Sequence, residues 1–484
     1  MLLIAMLPLL LGALILRILY RLYLHPLSSI SGPRLASATS LYLAYHTFIG
    51  DESTVIAALH KTYGPLVRIA PNDVSIADSA AIEPIYVARG GFPKTNVYSK
   101  FDIDGHATIF STLTLPERAG RAKAVAPLFA TANIRQARGV LLGVVDDFVE
   151  RLKTEAKTGG AVNVLQLARG MAIDAVSSYL FHERYGALKE GNTTTTTTTT
   201  KEPGKDHSTA NIMSASPFVD AYVGVGAFFN FAYGQFGELL VYIVDHLTQP
   251  KGTKESFAAM DVYTAHLVDS SVPKSGSYQS RLLERVSREQ AQIEVKDVCF
   301  AGTDSTGMNI ASLIWFLVRE RDVYERLRDA LANSPDPLNT PYLTATVREG
   351  LRLSWANPTR LPRSVPAGGW TFQNHYFPPG TSVGVSSFEL HKNPAIFPEP
   401  LRFNPDRWLE PTTEMLSSFF AFGKGSRACI ARNLGEAEVT MAAWRIVASG
   451  VLEGGRAVGE GIEILEWFNS RVKGEEILVT WDKN

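Results

Sequence analysis

This chain of 484 residues has two cysteines, Cys299 and Cys429, and the second stands in Phe422-Gly423-Lys424-Gly425-Ser426-Arg427-Ala428-Cys429-Ile430-Ala431-Arg432. Gly423 and Gly425 let the backbone turn tightly before the cysteine. Arg427 lies two residues upstream, and an apolar, helix-prone stretch from Leu434 to Val447 follows. Positive charge and the free N–H groups of a starting helix both stabilise a thiolate. A cysteinate held there can serve as a nucleophile or as an axial metal ligand. The closest histidine in sequence, His391, sits in a Phe-Glu-Leu-His-Lys-Asn-Pro stretch that reads as structural, so nothing nearby supplies the general base of a nucleophilic cysteine. Without that context a lone cysteine is most often a small buried hydrophobe.

Two other groupings carry chemistry. Ala301-Gly302-Thr303-Asp304-Ser305-Thr306-Gly307 interrupts an apolar helical run from Val298 to Val318. Polar residues and two glycines weaken a helix there, which implies either a kink or a functional opening. Glu349-Gly350-Leu351-Arg352 places opposite charges three apart on a helix, by itself a weak solvated pair. It is followed, ahead of the cysteine loop, by Phe403-Asn404-Pro405-Asp406-Arg407-Trp408.

Together these motifs resemble the haem-thiolate monooxygenases of the cytochrome P450 family. The family's cysteine loop, F-x-x-G-x-R-x-C-x-G, is matched at Phe422, Gly425, Arg427 and Cys429, with Ala431 replacing the last glycine. The resemblance implies that Cys429 is the axial ligand to the iron of haem b, pushing electron density onto the metal. Phe422, Gly423 and Arg427 would hold the cofactor from the cysteine side, and Arg363 and Arg121 would meet its propionates. The 301–306 segment matches [AG]-G-x-[DE]-T-[ST], where the helix opens to admit O2. Asp304 would relay protons, and Ser305, in place of the usual threonine, or Thr306 beside it would aim a hydroxyl at O2. Glu349, Arg352 and Arg407 match a buried charged cluster with a structural role.

The resemblance further implies a monooxygenase placing one oxygen atom of O2 into a hydrophobic small molecule. The wording between Phe377 and Trp408 looks most like fungal members of secondary metabolism. No Gly-rich dinucleotide fingerprint follows an expected strand. NADPH-derived electrons would then arrive through NADPH-cytochrome P450 reductase, with cytochrome b5 as a further partner. Lys424, Arg427, Arg432 and Lys123 fit a basic docking face for an acidic reductase, or equally scattered solvated charges. The competing readings are a family isomerase or dehydratase that uses no external O2, and a non-catalytic haem-binding protein. Substrate contacts would come from Tyr98 to Leu113, Phe218 to Leu247, the Ala301 face, Ala356 to Leu361, and Trp467 with Phe468.

The elements that must position these residues are mostly helical. Apolar residues recur at helical spacing over Leu128 to Lys157, Val164 to Phe181, Phe218 to Leu247, Gln290 to Leu331 and Leu343 to Leu353. Val67 to Ala77 and Gly368 to Gly384 read as short strands and turns. A formal net charge of -1 excludes a global field for nucleic acid or anionic membranes, and two cysteines exclude a disulfide framework. The expected fold is mainly α with a minor β part: one large cytochrome P450 catalytic domain, residues 35–484, carrying a flexible Thr-rich insertion at 191–207. Residues 1–24 are expected to form a transmembrane anchor, with Arg17 and Arg21 following the apolar run, and residues 25–34 a Pro-rich hinge. By the positive-inside rule the body would be cytosolic, at the endoplasmic reticulum membrane, where a sequon at Asn192 would stay unused.

Overall fold

The computed structural model describes residues 2–190, 214–231 and 253–481, with side chains from residue 8 onward. The 191–207 insertion with its Asn192 sequon, and most of the later half of the Phe218 to Leu247 stretch, lie outside the described residues. The rest is mainly helical, as the apolar spacing requires. Its principal helices are Arg138–Ala156, Val164–Val176, Ser216–Val225, Arg288–Arg319, Arg321–Ala332, Pro341–Leu353 and Arg432–Ala448. The single helix expected over Gln290 to Leu331 is two helices, because Glu320 leaves helical backbone at φ −97°, ψ 75°.

Arg288–Arg319 is the central element. Ser287 caps it, its hydroxyl accepting from the Gln290 N–H at 3.2 Å. Its 32 residues span about 48 Å at 1.5 Å per residue. Most of its side chains are buried, and the Val164–Val176 helix crosses it closely. The crossing explains both glycines of the 301–307 motif. A Cβ on Gly302 would lie 2.6 Å from Val176 Cγ2, and one on Gly307 2.6 Å from Arg169 Cγ. The helix runs unbroken through the motif, so these glycines serve close packing and not a kink. Gly307→Ala is expected to destabilise the protein by about 1–3 kcal/mol through overpacking, read as a lower denaturant midpoint.

The β part is small. Strands Leu66–Ala70, Asp73–Ile76, Ser382–Gly384 and Arg363–Ser364 form one sheet in that order. The central pair, Asp73–Ile76 and Ser382–Gly384, is parallel and the other two pairs are antiparallel. Trp370–Phe372 and His375–Phe377 form a hairpin whose turn residues, Gln373 and Asn374, both take positive φ. This sheet packs its own apolar core around Val74, Ile76, Tyr86, Phe377 and Val383, and it holds Arg363 against the helical body.

The expected transmembrane helix over residues 1–24 is not found: among the described residues no helix is long and apolar enough to cross a membrane. The α-helix there is Leu2–Leu19, followed by a wider π turn, Tyr20–Leu24. Eighteen helical residues rise about 27 Å, short of the roughly 30 Å of a hydrocarbon core. Its end is tied to the body: Arg21 donates to the Ala38 carbonyl at 2.7 Å, and Arg68 donates to the Arg21 carbonyl at 2.9 Å. Within the Pro-rich 25–34 segment, Leu27 and Ile30 are buried in the sheet core.

Candidate active site

The cysteine loop forms one wall of an internal cavity. Gly423 and Gly425 take φ of 65° and 72°, and a Cβ on Gly425 would run into the Tyr86 carbonyl. The turn is closed by the Cys429 N–H, which donates to the Phe422 carbonyl at 2.9 Å. Cys429 lies deep in the protein, yet its surface is accessible because it faces the cavity. Burial pushes its thiol up, opposed by a hydrogen bond from the Ala431 backbone and by the charge of Arg432. Arg427, which the sequence reading placed as the thiolate's cation, turns elsewhere. A thiol held neutral in this way gives up its proton to a metal that binds it. Cys299, by contrast, is buried among apolar side chains on the long helix.

The opposite wall is the long helix, which presents Ala301, Gly302, Ser305 and Thr306 to the cavity. Ala301 has its surface exposed to that space. The Ser305 hydroxyl donates to the Ala301 carbonyl at 3.2 Å. Asp304 is not among the lining residues. Its carboxylate accepts from Arg169 Nη2 at 2.6 Å, and Arg169 Nη1 in turn donates to Asp220 at 3.0 Å. Burial pushes the Asp304 carboxyl up, against the pull of Arg169. Glu438, one helix away from the cysteine, also lines the cavity. Burial lifts its carboxyl to about 8, opposed by a hydrogen bond with Thr306.

Besides Arg352, which is paired with Glu349, four cations line the cavity: Lys94, Arg118, Arg363 and Arg427. Arg363 Nη1 donates to Tyr98 Oη at 3.0 Å and Arg118 Nε to the Ile109 carbonyl at 3.1 Å. Arg427 Nη2 donates to the Leu113 carbonyl at 3.0 Å, while its buried Nη1 has no partner. Burial, then Arg118 and Arg363, bring Arg427 down to about 10. Lys94 is pushed well down by burial and by Arg363, Arg427 and Arg118. Such a set of buried like charges with an orphaned guanidinium N–H calls for a bound dianion. Arg121 is not part of it. It pairs with buried Glu294 at 2.7 Å and donates to Thr112 at 2.6 Å. Arg118, one helical turn earlier, takes the place expected of it.

The chain's residues therefore fit an iron macrocycle bearing two carboxylates. Cys429 and Phe422 lie on one side and Ala301 on the other, with the cations completing the wall. The orphaned Arg427 N–H and the cavity-facing Cys429 carry that fit.

Beside the cavity, Glu349 accepts five hydrogen bonds. Two come from Arg352, each at 2.8 Å. The others come from Arg407 Nε at 3.1 Å, Trp408 Nε1 at 2.8 Å and the Asn404 N–H at 3.0 Å. Arg352 also donates to the carbonyls of His391, Pro400 and Arg402. His391 is structural, as expected, its ring held between Arg352 O and Phe420 N. The structure brings Glu349, Arg352 and Arg407 together. Sequence reasoning missed Lys94, Arg118, Arg169, Asp220 and Glu438, for which no local motif stood out.

Known proteins resemble this chain in sequence. The family model for cytochrome P450 matches residues 41–449. The chain is 36% identical to the cytochrome P450 monooxygenase mfmF of Annulohypoxylon moriforme, across 96% of this chain and 97% of that protein. It is 28% identical to the cytochrome P450 monooxygenase tazI of Aspergillus terreus, across 90% and 88%, and 27% identical to stellatic acid synthase of Emericella variicolor, across 87% and 83%. Cysteine loop, helix motif, charged cluster and these likenesses converge: the chain belongs to the cytochrome P450 family.

Proposed function

We propose that this protein is a haem-thiolate monooxygenase of fungal secondary-metabolite biosynthesis, placing one oxygen atom of O2 into a hydrophobic small molecule. The observation that carries this is the cavity lined together by Cys429, Ala301 and buried cations, one of which, Arg427, has an unpartnered N–H. When bound, haem supplies the activation of O2. Cys429 would hold the iron, while Arg118, Arg363 and Arg427 would neutralise the two propionates. Aromatic side chains, Tyr98, Phe110, Phe300 and Phe468 among them, line the same cavity and exclude water.

Ser305 and Thr306 carry the hydroxyls that border the reacting space, and Asp304, one residue before, is held as a carboxylate by Arg169. Transfer from Asp304 requires its carboxyl to exchange Arg169 for Ser305 or for water. An Asp304→Asn variant is expected to lose about hundredfold in turnover while keeping haem and substrate affinity. The measurement is reductase-supported product formation with NADPH, beside the dissociation constant from the substrate-induced Soret shift. Unchanged turnover removes the proton role, and no NADPH-dependent turnover of any apolar substrate by the wild type removes the monooxygenase. The isomerase or dehydratase and the non-catalytic alternatives gain no support from the relatives, whose names are monooxygenases and a synthase.

Electrons come from a separate NADPH-cytochrome P450 reductase, with cytochrome b5 as an auxiliary donor. Arg432 and Lys123 are exposed and offer a basic docking face with Lys424, whereas Arg427 points inward and drops out of it.

The catalytic body is cytosolic at the endoplasmic reticulum, attached through the N-terminal helix. Leu9, Leu10, Leu11, Leu14, Ile15 and Leu16 are all exposed on it, an apolar surface too large to leave in water. Deleting residues 2–19 is expected to move the protein from the membrane pellet to the soluble fraction after carbonate extraction. An unchanged distribution removes this attachment.

A further inference from the structure

Asp297, Ala301 and Ser305 recur every four residues along the long helix and line the same cavity. Asp297 therefore stands one turn before Ala301, about 6 Å along the axis, and two turns before Ser305, about 12 Å. Among the described residues that line the cavity, the two carboxyl groups are those of Asp297 and Glu438. Glu438 lies on the helix after the cysteine and is engaged with Thr306. Asp297 lies at the far end, in the space also bordered by Tyr98, Phe110, Phe300 and Phe468.

Among the described residues, no cation lies within ion-pair distance of Asp297. Its near partner is the Thr108 hydroxyl, with Lys94 and Arg121 acting on it only through their charge. Lys94 is committed elsewhere: its ammonium donates to the Phe110 carbonyl and lies 4.0 Å and 4.1 Å from the Tyr98 and Phe110 ring centres. Arg121 is committed to Glu294. Burial, then the negative charge of Glu294 three residues earlier on the helix, lift the Asp297 carboxyl to about 7. A carboxyl with no close cation, facing a space bordered by aromatic rings and by cations engaged elsewhere, gains from a donor brought in by a ligand.

We propose that Asp297 is a specificity-determining contact, taking a hydrogen-bond donor, a protonated amine or a hydroxyl, carried by an otherwise apolar substrate. The inference rests on the monooxygenase reading. It places the oxidised carbon, near Ala301 and Ser305, roughly 6–12 Å from the donor group of the substrate.

The test uses the haem-loaded full chain and three series of 1-alkylimidazoles, four to eight carbons long, ending in ammonium, hydroxyl or methyl. Each reports its dissociation constant through the Soret shift of imidazole ligation. At one chain length the ammonium or hydroxyl series is expected to bind about tenfold more tightly than the methyl series. Asp297→Asn should erase an ammonium preference, and Asp297→Glu should keep it at a shorter chain. Which polar series wins identifies the donor. Equal binding of all three series by a wild type with a normal haem spectrum overturns this proposal alone, as does an ammonium preference unchanged in Asp297→Asn or a hydroxyl preference unchanged in Asp297→Leu. A wild type with no haem spectrum overturns the monooxygenase reading and this proposal with it.

Discussion

Cys429→Ala is expected to abolish the strongly red-shifted Soret band of the reduced carbon-monoxide complex, and NADPH-supported turnover with it. The substitution removes one sulfur from a residue whose surface already faces a cavity. Little packing is lost, so the change in fold stability should stay near the ±0.5 kcal/mol of a surface substitution. The second cysteine cannot stand in: Cys299 is buried, is not among the cavity-lining residues, and its thiol is pushed far up by burial. The experiment compares the carbon-monoxide difference spectra of wild type and variant at equal folded protein, with circular dichroism as the measure of folding. A retained red-shifted band would sink the assignment of Cys429 as the ligand. Loss of the band with an unchanged dichroism spectrum separates ligation from folding.

The second large effect is on stability. Glu349→Gln keeps the shape of the side chain but removes the charge that two arginines share. Glu349 and Arg352 are fully buried, and Arg407 is nearly so. Removing one partner of a buried ionic network leaves the others uncompensated, at a cost of about 3–5 kcal/mol. The amide can still accept at one atom, but its NH2 then points at donors of Arg352, Arg407 or Trp408. The expected result is a sharply lower yield of soluble protein and a lower urea midpoint for what remains. Arg352→Lys should fare no better. The guanidinium donates in several directions at once, to both Glu349 oxygens and to backbone carbonyls on the 391–402 segment, and one ammonium cannot span them. A midpoint unchanged within about 0.5 kcal/mol, the scale of an ordinary surface substitution, would show that the cluster does not lock this segment.

The two experiments differ in kind because the residues do. Cys429 is accessible within the cavity and carries chemistry with little packing. Glu349 has no access to solvent and carries packing with no chemistry. The Asp304–Arg169–Asp220 chain lies between them, a buried network whose first member belongs to the helix that borders the cavity.

The amino-acid sequence by itself determined what depends on neighbours along the chain. The cysteine loop was legible because two glycines, an arginine and the following helix all lie within a dozen residues. Glu349 and Arg352 were legible because three residues on a helix bring side chains together. The helices were legible where apolar residues kept a 3.6-residue period, and misjudged at Glu320, where the pattern continues through a change of backbone angle. Tertiary structure alone decided what depends on residues far apart. Arg118 and Arg121 are near-equivalent by sequence, and buried Glu294, 173 positions beyond Arg121, claims one and leaves the other to the cavity. Asp304 belongs to a motif, yet Arg169, 135 positions away, sets which way it faces. Gly302 and Gly307 read as weak points of a helix until the Val164–Val176 helix is laid against them. The physical reason is common to all three: burial and charge pairing are set by whichever groups the folded chain brings within a few ångströms, and separation along the chain carries no information about that.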